Sequence, residues 1–368
     1  MTLRLAVDRS RSILQSDANS HNRVWPDLPA VGAIDPGDEL VAELRDGMDG
    51  ELLAIADAAA LTTLDLGANH PLTGPVEVRG AQPGDVVGVE VQSIEPAARA
   101  ATAVLPGFGL LGDLFQRPFL VHWEIADGVA RSQQMPGIAI RGRPFLGCVA
   151  VAPSVDLHER AGAREDALAQ QGELVLGPEA ATARPALEPY ASRGLRTIPP
   201  RENGGNLDVP QAMAGSRVLL PVHVPGAMLS LGDPHFAQGE GEVCGTAIEV
   251  AATATVRVSL RRSGELRWRP TFPAIEFDEP VLAAPRPCFL TSGIPVAADG
   301  TSSQMDLTLA ARRALIELVD WLEAERGLTR EQGYVLASVA ADLRVAEAVN
   351  VPNGLVTCRL PLDVFVSA

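Results

Sequence analysis

The chain contains no lysine: all 30 of its basic residues are arginine, against 46 acidic residues in a total of 368. Without lysine, a protein can neither form a side-chain Schiff base nor use a depressed-pKa amine as base or nucleophile. It also lacks the P-loop lysine that reaches nucleotide phosphates. These three kinds of site are therefore excluded, although a GC-rich genome alone also explains all-arginine usage.

The acidic balance limits the partners. A formal net charge of −16 argues against nucleic acids and anionic membranes, because both demand basic surfaces. No apolar run approaches membrane-spanning length, and charged residues interrupt the N-terminal stretch where a signal peptide is apolar. The four cysteines lie too far apart in sequence for a zinc knuckle or a redox pair. We therefore expect a cytoplasmic protein with reduced thiols.

Turn-forming residues are abundant and aromatics are few: 34 glycines and 29 prolines stand against 4% aromatic residues. This composition favours many turns and therefore many strands. Ile34–Leu44 and Ala81–Val91 each combine a Pro-Gly turn with alternation. Arg217–Val224 and Gly245–Arg261 are also strand-like, and the latter has one apolar face running from Val250 to Leu260. The sequence predicts a mainly β protein.

The hydrophobic period changes near the C-terminus. Met305–Arg326 has apolar residues at helical spacing, and Thr329–Val349 is predicted to continue as a second helix before a final strand, Leu355–Phe365. No clean linker divides the chain, so residues 1–368 are predicted to form one unit with intertwined subdomains. Its approximate parts are an N-terminal β part (1–153), an insertion or connection (154–200), a central β part with the site (201–303), and C-terminal helices and strand (304–368).

Potential catalytic groups are densest in Gly232–Glu242, GDPHFAQGEGE. If the backbone is extended, Asp233 and His235 point the same way and can bind a divalent metal or act as an acid/base pair. Glu240 and Glu242 can share a face in the same manner, and two close carboxylates push their pKa values apart. An acidic surface hairpin is the alternative. The apolar segments on both sides count against it, because polar groups between core strands are costly unless used.

A second polar loop, Arg201–Asp208 (RENGGNLD), offers donors for a carbonyl oxygen. The amides of Asn203 and Asn206 and the backbone N–H groups of Gly204 and Gly205 are suited to an oxyanion hole. An ordinary Asn-Gly turn between strands is the alternative.

Two further residues are weaker candidates. His70, in NHPLTGP, is a possible ligand, but a lone histidine is more often structural. Cys244 is the best thiol candidate, but a buried cysteine in a strand is more often a small hydrophobe.

Five segments of the chain, in this order, match one known family: PLTGPVEVRGAQPGDVV (71–87), PFLGCVAVAP (144–153), RENGGNLD (201–208), PVHVPGAMLSLGDPHFAQGEGEVCGTAIE (221–249) and ASVAADLRVAEAVNVPNGLVTCRLPLDVF (337–365). They resemble the acetamidase/formamidase family, and GDPHFAQGEGE is the most specific of the matching runs. The matches span nearly the whole chain.

The resemblance implies hydrolysis of a short linear amide, such as formamide or acetamide, to a carboxylic acid and ammonia. It implies a β-sandwich core with a β-barrel-like part and α/β additions, assembled as a homo-oligomer, most simply a homodimer. It also implies a divalent metal, with zinc and calcium as candidates and with Asp233 and His235 as ligands. The family is distinct from the lysine-dependent amidases, which agrees with the composition.

The resulting hypothesis is attack of an activated water on the amide carbonyl. Glu242, or else Glu240, takes the water proton and returns it to the departing nitrogen, while Asp233 and His235 hold the ion or orient the water. The loop Asn203–Asn206, together with Gln238 and Phe236, is predicted to bind the substrate. The alternatives are a non-catalytic β protein that binds a small ligand or a metal, and a hydrolase of an ester or a cyclic amide.

Overall fold

The computed structural model describes residues 1–278 and 286–366, and strands dominate it. In chain order the strands are β1 (Thr2–Leu5), β2 (Ser20–His21), β3 (Arg23–Val24), β4 (Gly32–Ile34), β5 (Glu39–Leu44), β6 (Leu72–Val78), β7 (Val86–Pro96), β8 (Arg99–Val104), β9 (Phe119–Ala126), β10 (Val129–Arg131), β11 (Ile140–Arg141), β12 (Phe145–Ala150), β13 (Leu195–Arg196), β14 (Gly204–Asn206), β15 (Arg217–Pro221), β16 (Leu229–His235), β17 (Ala252–Arg261), β18 (Ala274–Glu276), β19 (Cys288–Gly293), β20 (Asp342–Glu347) and β21 (Leu355–Pro361). The α-helices are α1 (Glu51–Ala54), α2 (Val155–Gln170), α3 (Tyr190–Arg193), α4 (Leu307–Arg326) and α5 (Arg330–Ala340).

Two open sheets pack face to face as a sandwich. The first has the strand order β1-β5-β17-β7-β15-β18 and the second β14-β12-β16-β6-β2. Between them lies one core cluster of small branched side chains, including Leu40, Val89 and Val256 from the first sheet and Val76 and Leu231 from the second. Alternation along each strand puts one face into this core. The predicted mainly β fold is therefore confirmed.

A second layer contains most of the helical structure. The sheet β11-β10-β9-β8 and the sheet β19-β21-β20 enclose α4 and α5. Trp123, Leu318, Tyr334 and Leu360 are buried in this second core. The two predicted C-terminal helices are present, and no helix within the described ranges is long and apolar enough to cross a bilayer.

Several predicted elements have different bounds in the structure; the final strand, for example, ends at Pro361 rather than Phe365, where a 3-10 turn over Leu362–Val364 follows. The second C-terminal helix was predicted to run to Val349 but ends at Ala340, because the alternating residues Asp342–Glu347 pair with β21 as strand β20. The long strand was predicted to start at Gly245 but starts at Ala252. Gly245 has a left-handed backbone (φ +88°), which interrupts an extended run.

Strand β16 brings the polar motif to the middle of the second sheet. Its neighbours are β12 and β6, so Asp233 and His235, near its end, are surrounded by protein. Helix α2, in the predicted connection 154–200, starts at Val155 and is capped by Ser154, whose side chain accepts a hydrogen bond from the Leu157 N–H. Arg201 holds it through a charged pair with Glu165 (2.7 Å). Helix α2 is thereby fixed against the segment before β14, and its residues Glu165 and Leu168 line the same cavity as Asp233.

The buried His21 on β2 gives a testable pH dependence of stability. Its Nδ1–H donates to the Arg23 carbonyl (2.9 Å) and its Nε2 accepts from the Ser230 hydroxyl (2.8 Å), so the neutral ring is fully satisfied. Burial lowers the pKa of His21 from 6.5 to about 4. As pH falls below 6.5, His21 becomes protonated in the unfolded chain but stays neutral in the folded chain until about pH 4. The free energy of unfolding therefore decreases over this range.

We expect wild type to lose about 2 kcal/mol of unfolding free energy relative to His21→Gln between pH 7 and pH 5. Denaturant titrations of both proteins across this range provide the measurement. The variant serves as the reference for every other titrating group, and a difference that does not change with pH contradicts the prediction.

Candidate active site

The site is built around Asp233 and His235, which lie side by side at the end of β16. Each is only 1% exposed, and Asp233 Oδ1 is 3.3 Å from His235 Nε2. Asp233 has a left-handed backbone (φ +51°), a conformation that costs free energy for residues other than glycine and is often found at functional sites. The two predicted ligand residues are thus held together in the interior.

Glu249 joins this pair, and its place near the site was not predicted. Its Oε2 lies 3.3 Å from His235 Nε2, and its backbone bridges both His235 and Ala101. Asp233 Oδ1, His235 Nε2 and Glu249 Oε2 are all buried without a hydrogen bond of good geometry in the described chain. Such orphaned buried atoms demand a partner. One nitrogen and two carboxylate oxygens facing each other fit a divalent cation.

The hydrogen bond between His235 Nδ1 and Gln238 determines the tautomer of the His235 ring. Nδ1 lies 2.7 Å from Gln238 Oε1, an acceptor, so Nδ1 carries the proton. Gln238 Nε2 donates to the Asp208 carbonyl (2.9 Å), which fixes the orientation of the amide. In the neutral ring this leaves the Nε2 lone pair directed at Asp233 and Glu249, as a metal ligand requires. Gln238 therefore supports His235 from behind.

The site carries excess negative charge. Burial alone would lower the pKa of His235, but the carboxylates of Glu249 and Asp233 raise it well above the usual value. Burial and the charge of Asp208 raise the pKa of Glu242 well above its ordinary value, and burial raises that of Asp208 to about 7. Closely spaced buried acids have this effect because few can ionise together. A proton or a bound cation must therefore balance them.

The two glutamates of the motif are in different environments. Glu242, at φ +43°, lines the cavity beside the site, with a carboxylate oxygen within 4.8 Å of the ligand atoms of His235 and Glu249. Glu240 instead accepts a hydrogen bond from Gln211 (2.9 Å) and lies 3.6 Å from Arg344. The structure thus brings only Glu242 to the reactive groups.

The loop predicted as an oxyanion hole is also divided. Asn206 lines the cavity, and its Oδ1 accepts from the Cys148 thiol (3.3 Å). Asn203 donates from Nδ2 to the Val151 carbonyl (2.6 Å). Gly204 and Gly205 belong to β14, which pairs with β12, and the Gly204 N–H donates to the Arg201 carbonyl. Asn206 is the member of this group that faces the cavity.

Phe236 points away from the cavity. It is 1% exposed and packs in the second core cluster. Its ring lies against the backbone of Gly142, where even a Cβ atom would overlap it. The structure therefore makes Phe236 a core residue rather than part of the cavity wall.

Two glycines make room for the carboxylates, and sequence reasoning identified neither. A Cβ on Gly47 would overlap Asp233 Oδ1, and one on Gly147 would lie 2.7 Å from Asp208 Oδ1 and 3.0 Å from Asp233 Oδ2. Gly47 follows the end of β5, and nothing in the local sequence distinguishes it. Both glycines let the backbone approach the acids more closely than other residues would.

His70, which as a lone histidine suggested a structural residue, belongs to the site. Its Nδ1 lies 3.3 Å from Asp233 Oδ2, and the side chain, 15% exposed, lines the cavity. Asp233 therefore contacts His235 through one oxygen and His70 through the other.

A cavity of about 330 Å³ opens in front of these groups. Its polar end contains His70, Asn206, Asp208, Asp233, Glu242 and Glu249. The remaining wall is mostly apolar and comes from the segment after α1, from the loop around Phe108 and from the end of α2.

Comparison with known proteins identifies the family of the chain. Residues 6–367 match the model of the Acetamidase/Formamidase family. The chain is 33% identical to an acetamidase of Mycolicibacterium smegmatis, over 90% of this chain and 88% of the relative. It is 29% identical to a formamidase of Methylophilus methylotrophus, over 98% and 92%. A solved γ-lactamase from Delftia acidovorans superposes with a TM-score of 0.92 at 30% identity, over 99% and 93% of the two chains. The chain belongs to the acetamidase/formamidase family.

Proposed function

We propose that this chain hydrolyses a short linear amide to a carboxylic acid and ammonia in the cavity in front of Asp233, with Glu242 as the general acid–base residue. Membership of the family gives the reaction class. The observation that supports the site is that Asp233 Oδ1 and Glu249 Oε2 each lie 3.3 Å from His235 Nε2, with Glu242 within 4.8 Å of the His235 and Glu249 ligand atoms.

Asp233, His235 and Glu249 are the residues proposed to hold a divalent cation. Zinc suits them better than calcium, because calcium takes six to eight oxygen ligands whereas zinc accepts a histidine nitrogen among few ligands. When bound, such an ion lowers the pKa of water and polarises a carbonyl.

Glu242 is proposed to move the proton. Its raised pKa, caused by burial and by Asp208, gives it a high affinity for the proton that the attacking water loses. The same carboxyl then returns the proton to the departing nitrogen, so that ammonia leaves rather than an amide anion. A residue that both takes and gives a proton needs a pKa nearer neutrality than that of a free glutamate.

Asn206 and His70 are proposed to orient the amide. The Oδ1 of Asn206 is occupied by the Cys148 thiol, which leaves its Nδ2 donors for the carbonyl oxygen as negative charge develops there. His70 is held by Asp233 Oδ2 and presents its ring at the same end of the cavity.

A cyclic amide is the second candidate substrate. The superposition on a γ-lactamase at a TM-score of 0.92 favours it. Ring opening releases no ammonia, so assays of acid production and of the new amine distinguish the two substrates. The predicted homodimer and cytoplasmic location remain part of the proposal.

The two motif glutamates form a matched pair for the first catalytic test. We expect Glu242→Gln to lower kcat for ammonia release from short amides about 10²- to 10⁴-fold, the range typical of a lost general acid–base group. Glu240→Gln changes the same motif outside the cavity and should retain near-normal kcat. Circular dichroism and melting curves check folding. Equal losses in the two variants contradict the assignment of Glu242.

Metal content tests two of the three proposed ligands without an activity assay. We expect about one zinc ion per chain by elemental analysis of the purified protein, and loss of most of it in Asp233→Asn and His235→Ala. His122→Ala is the control, because His122 lies on β9, in a different sheet from Asp233 and His235, and its ring contacts the Leu52 carbonyl of α1. Full zinc content in both ligand variants contradicts the proposed site.

Gly47 tests how closely the carboxylates must be placed. We expect Gly47→Ala to displace Asp233 and to lower kcat/KM about tenfold or more, since small misplacements of reacting groups are costly. Gly264→Ala is the control, because a Cβ there meets no atom within 4 Å. A kcat/KM equal to that of wild type in folded Gly47→Ala contradicts the prediction that the position of Asp233 is critical.

A further inference from the structure

The cavity has far more room than the smallest amides need. Its volume of about 330 Å³ falls in the range of roughly 300–1,000 Å³ that is usual for pockets holding drug-sized ligands. Acetamide, with four non-hydrogen atoms, would occupy only the polar end, where Asp233 and Glu242 lie. The rest of the cavity therefore has room for a larger acyl group.

The wall of this remaining space is apolar. It comprises Met48, Leu66, Leu105, Phe108, Leu168, Leu174, Val175, Leu176, Ile198 and Pro199. Several of these side chains are left in contact with solvent: Leu174 is 75% exposed, Leu168 45% and Phe108 38%. Burying them against an apolar ligand is favourable in proportion to the area removed from water.

Among the described residues, the apolar part of the cavity has no cationic side chain for an anionic substrate group. None of its described lining residues is arginine, and the chain contains no lysine. Glu165 is the acidic residue of the apolar part, and Arg201 neutralises it at 2.7 Å. A carboxylate on the acyl group would therefore be desolvated without a partner, next to the acids of the polar end.

We propose that the substrate is a neutral primary amide whose acyl group is apolar and about four to eight carbons long, seated between the end of α2 and the loop around Phe108. This inference rests on the proposed amide hydrolysis and names its substrate class. The carboxamide meets the polar end while the hydrocarbon covers Leu174, Val175 and Leu176.

Ammonia release from acetamide, butanamide, pentanamide, hexanamide and phenylacetamide tests the acyl group. We expect kcat/KM to rise about two- to fourfold for each added methylene up to hexanamide, as for a buried hydrocarbon. Succinamate, close in size to pentanamide but carrying a carboxylate, should react at least about tenfold more slowly than pentanamide. A flat or falling series, or equal rates for these two amides, overturns the inference.

A matched pair of leucines locates the binding surface. Leu176→Asn makes the wall polar, so the ratio of kcat/KM for hexanamide to that for acetamide should fall about fivefold or more. Leu187→Asn changes a leucine of the same connection that is 53% exposed and lies outside the lining, so this ratio should stay unchanged. An unchanged ratio in Leu176→Asn, or equal falls in both variants, overturns the inference.

The failure of the inference is distinguishable from failure of the proposed function. If wild type releases ammonia neither from these amides nor from formamide, the proposed hydrolysis of linear amides fails and takes the inference with it. If turnover depends on Glu242 but not on acyl length, the hydrolysis stands and the apolar substrate class alone is wrong.

Discussion

The rest of the site depends on keeping four acids, Asp208, Asp233, Glu242 and Glu249, close to the imidazoles of His235 and His70 and largely out of water. Burying even one unpaired charge is expensive, and several together are tolerated only with compensation. The raised pKa values of Glu242 and Asp208 express this cost as an affinity for protons. The same concentration of negative charge attracts a cation, so the charge that is costly to bury also favours cation binding at this cluster.

The fold sustains this cluster by geometric constraint. Asp208, Asp233 and Glu242 all have left-handed backbones, each of which costs of order 1 kcal/mol or more. Gly47 and Gly147 let main chain approach the carboxylates where a Cβ would collide. Such strain persists only when the surroundings leave no alternative. The sandwich core packs against Leu229 and Leu231 of β16, and the helical core takes in Phe236 and Ala237 just beyond the end of the strand.

The sequence predicted the elements better than it predicted the site. Alternation of Val250 to Leu260 identified the buried face of β17, because strand periodicity is local. The motif Gly232–Glu242 supplied Asp233, His235 and Glu242 for the same reason. Glu249 and His70 come from other segments, and pairing across sheets brings them in. Glu240 and Glu242 look equivalent in sequence, and only the left-handed turn at Glu242 separates them.

In the folded molecule, the absence of lysine matters most around the acids of the site, where it leaves no ammonium group to balance their charge. Arginine, the remaining permanent cation, neutralises Glu165 near the cavity and fixes α2. Around the acids, the described side chains offer imidazole but no guanidinium or ammonium as a counter-charge. A fixed cation there would neutralise the carboxylates permanently and lower their proton affinity. Leaving the positive charge to a proton or an exchangeable ion keeps these acids both basic and able to bind a cation, and the proposed hydrolysis uses both properties.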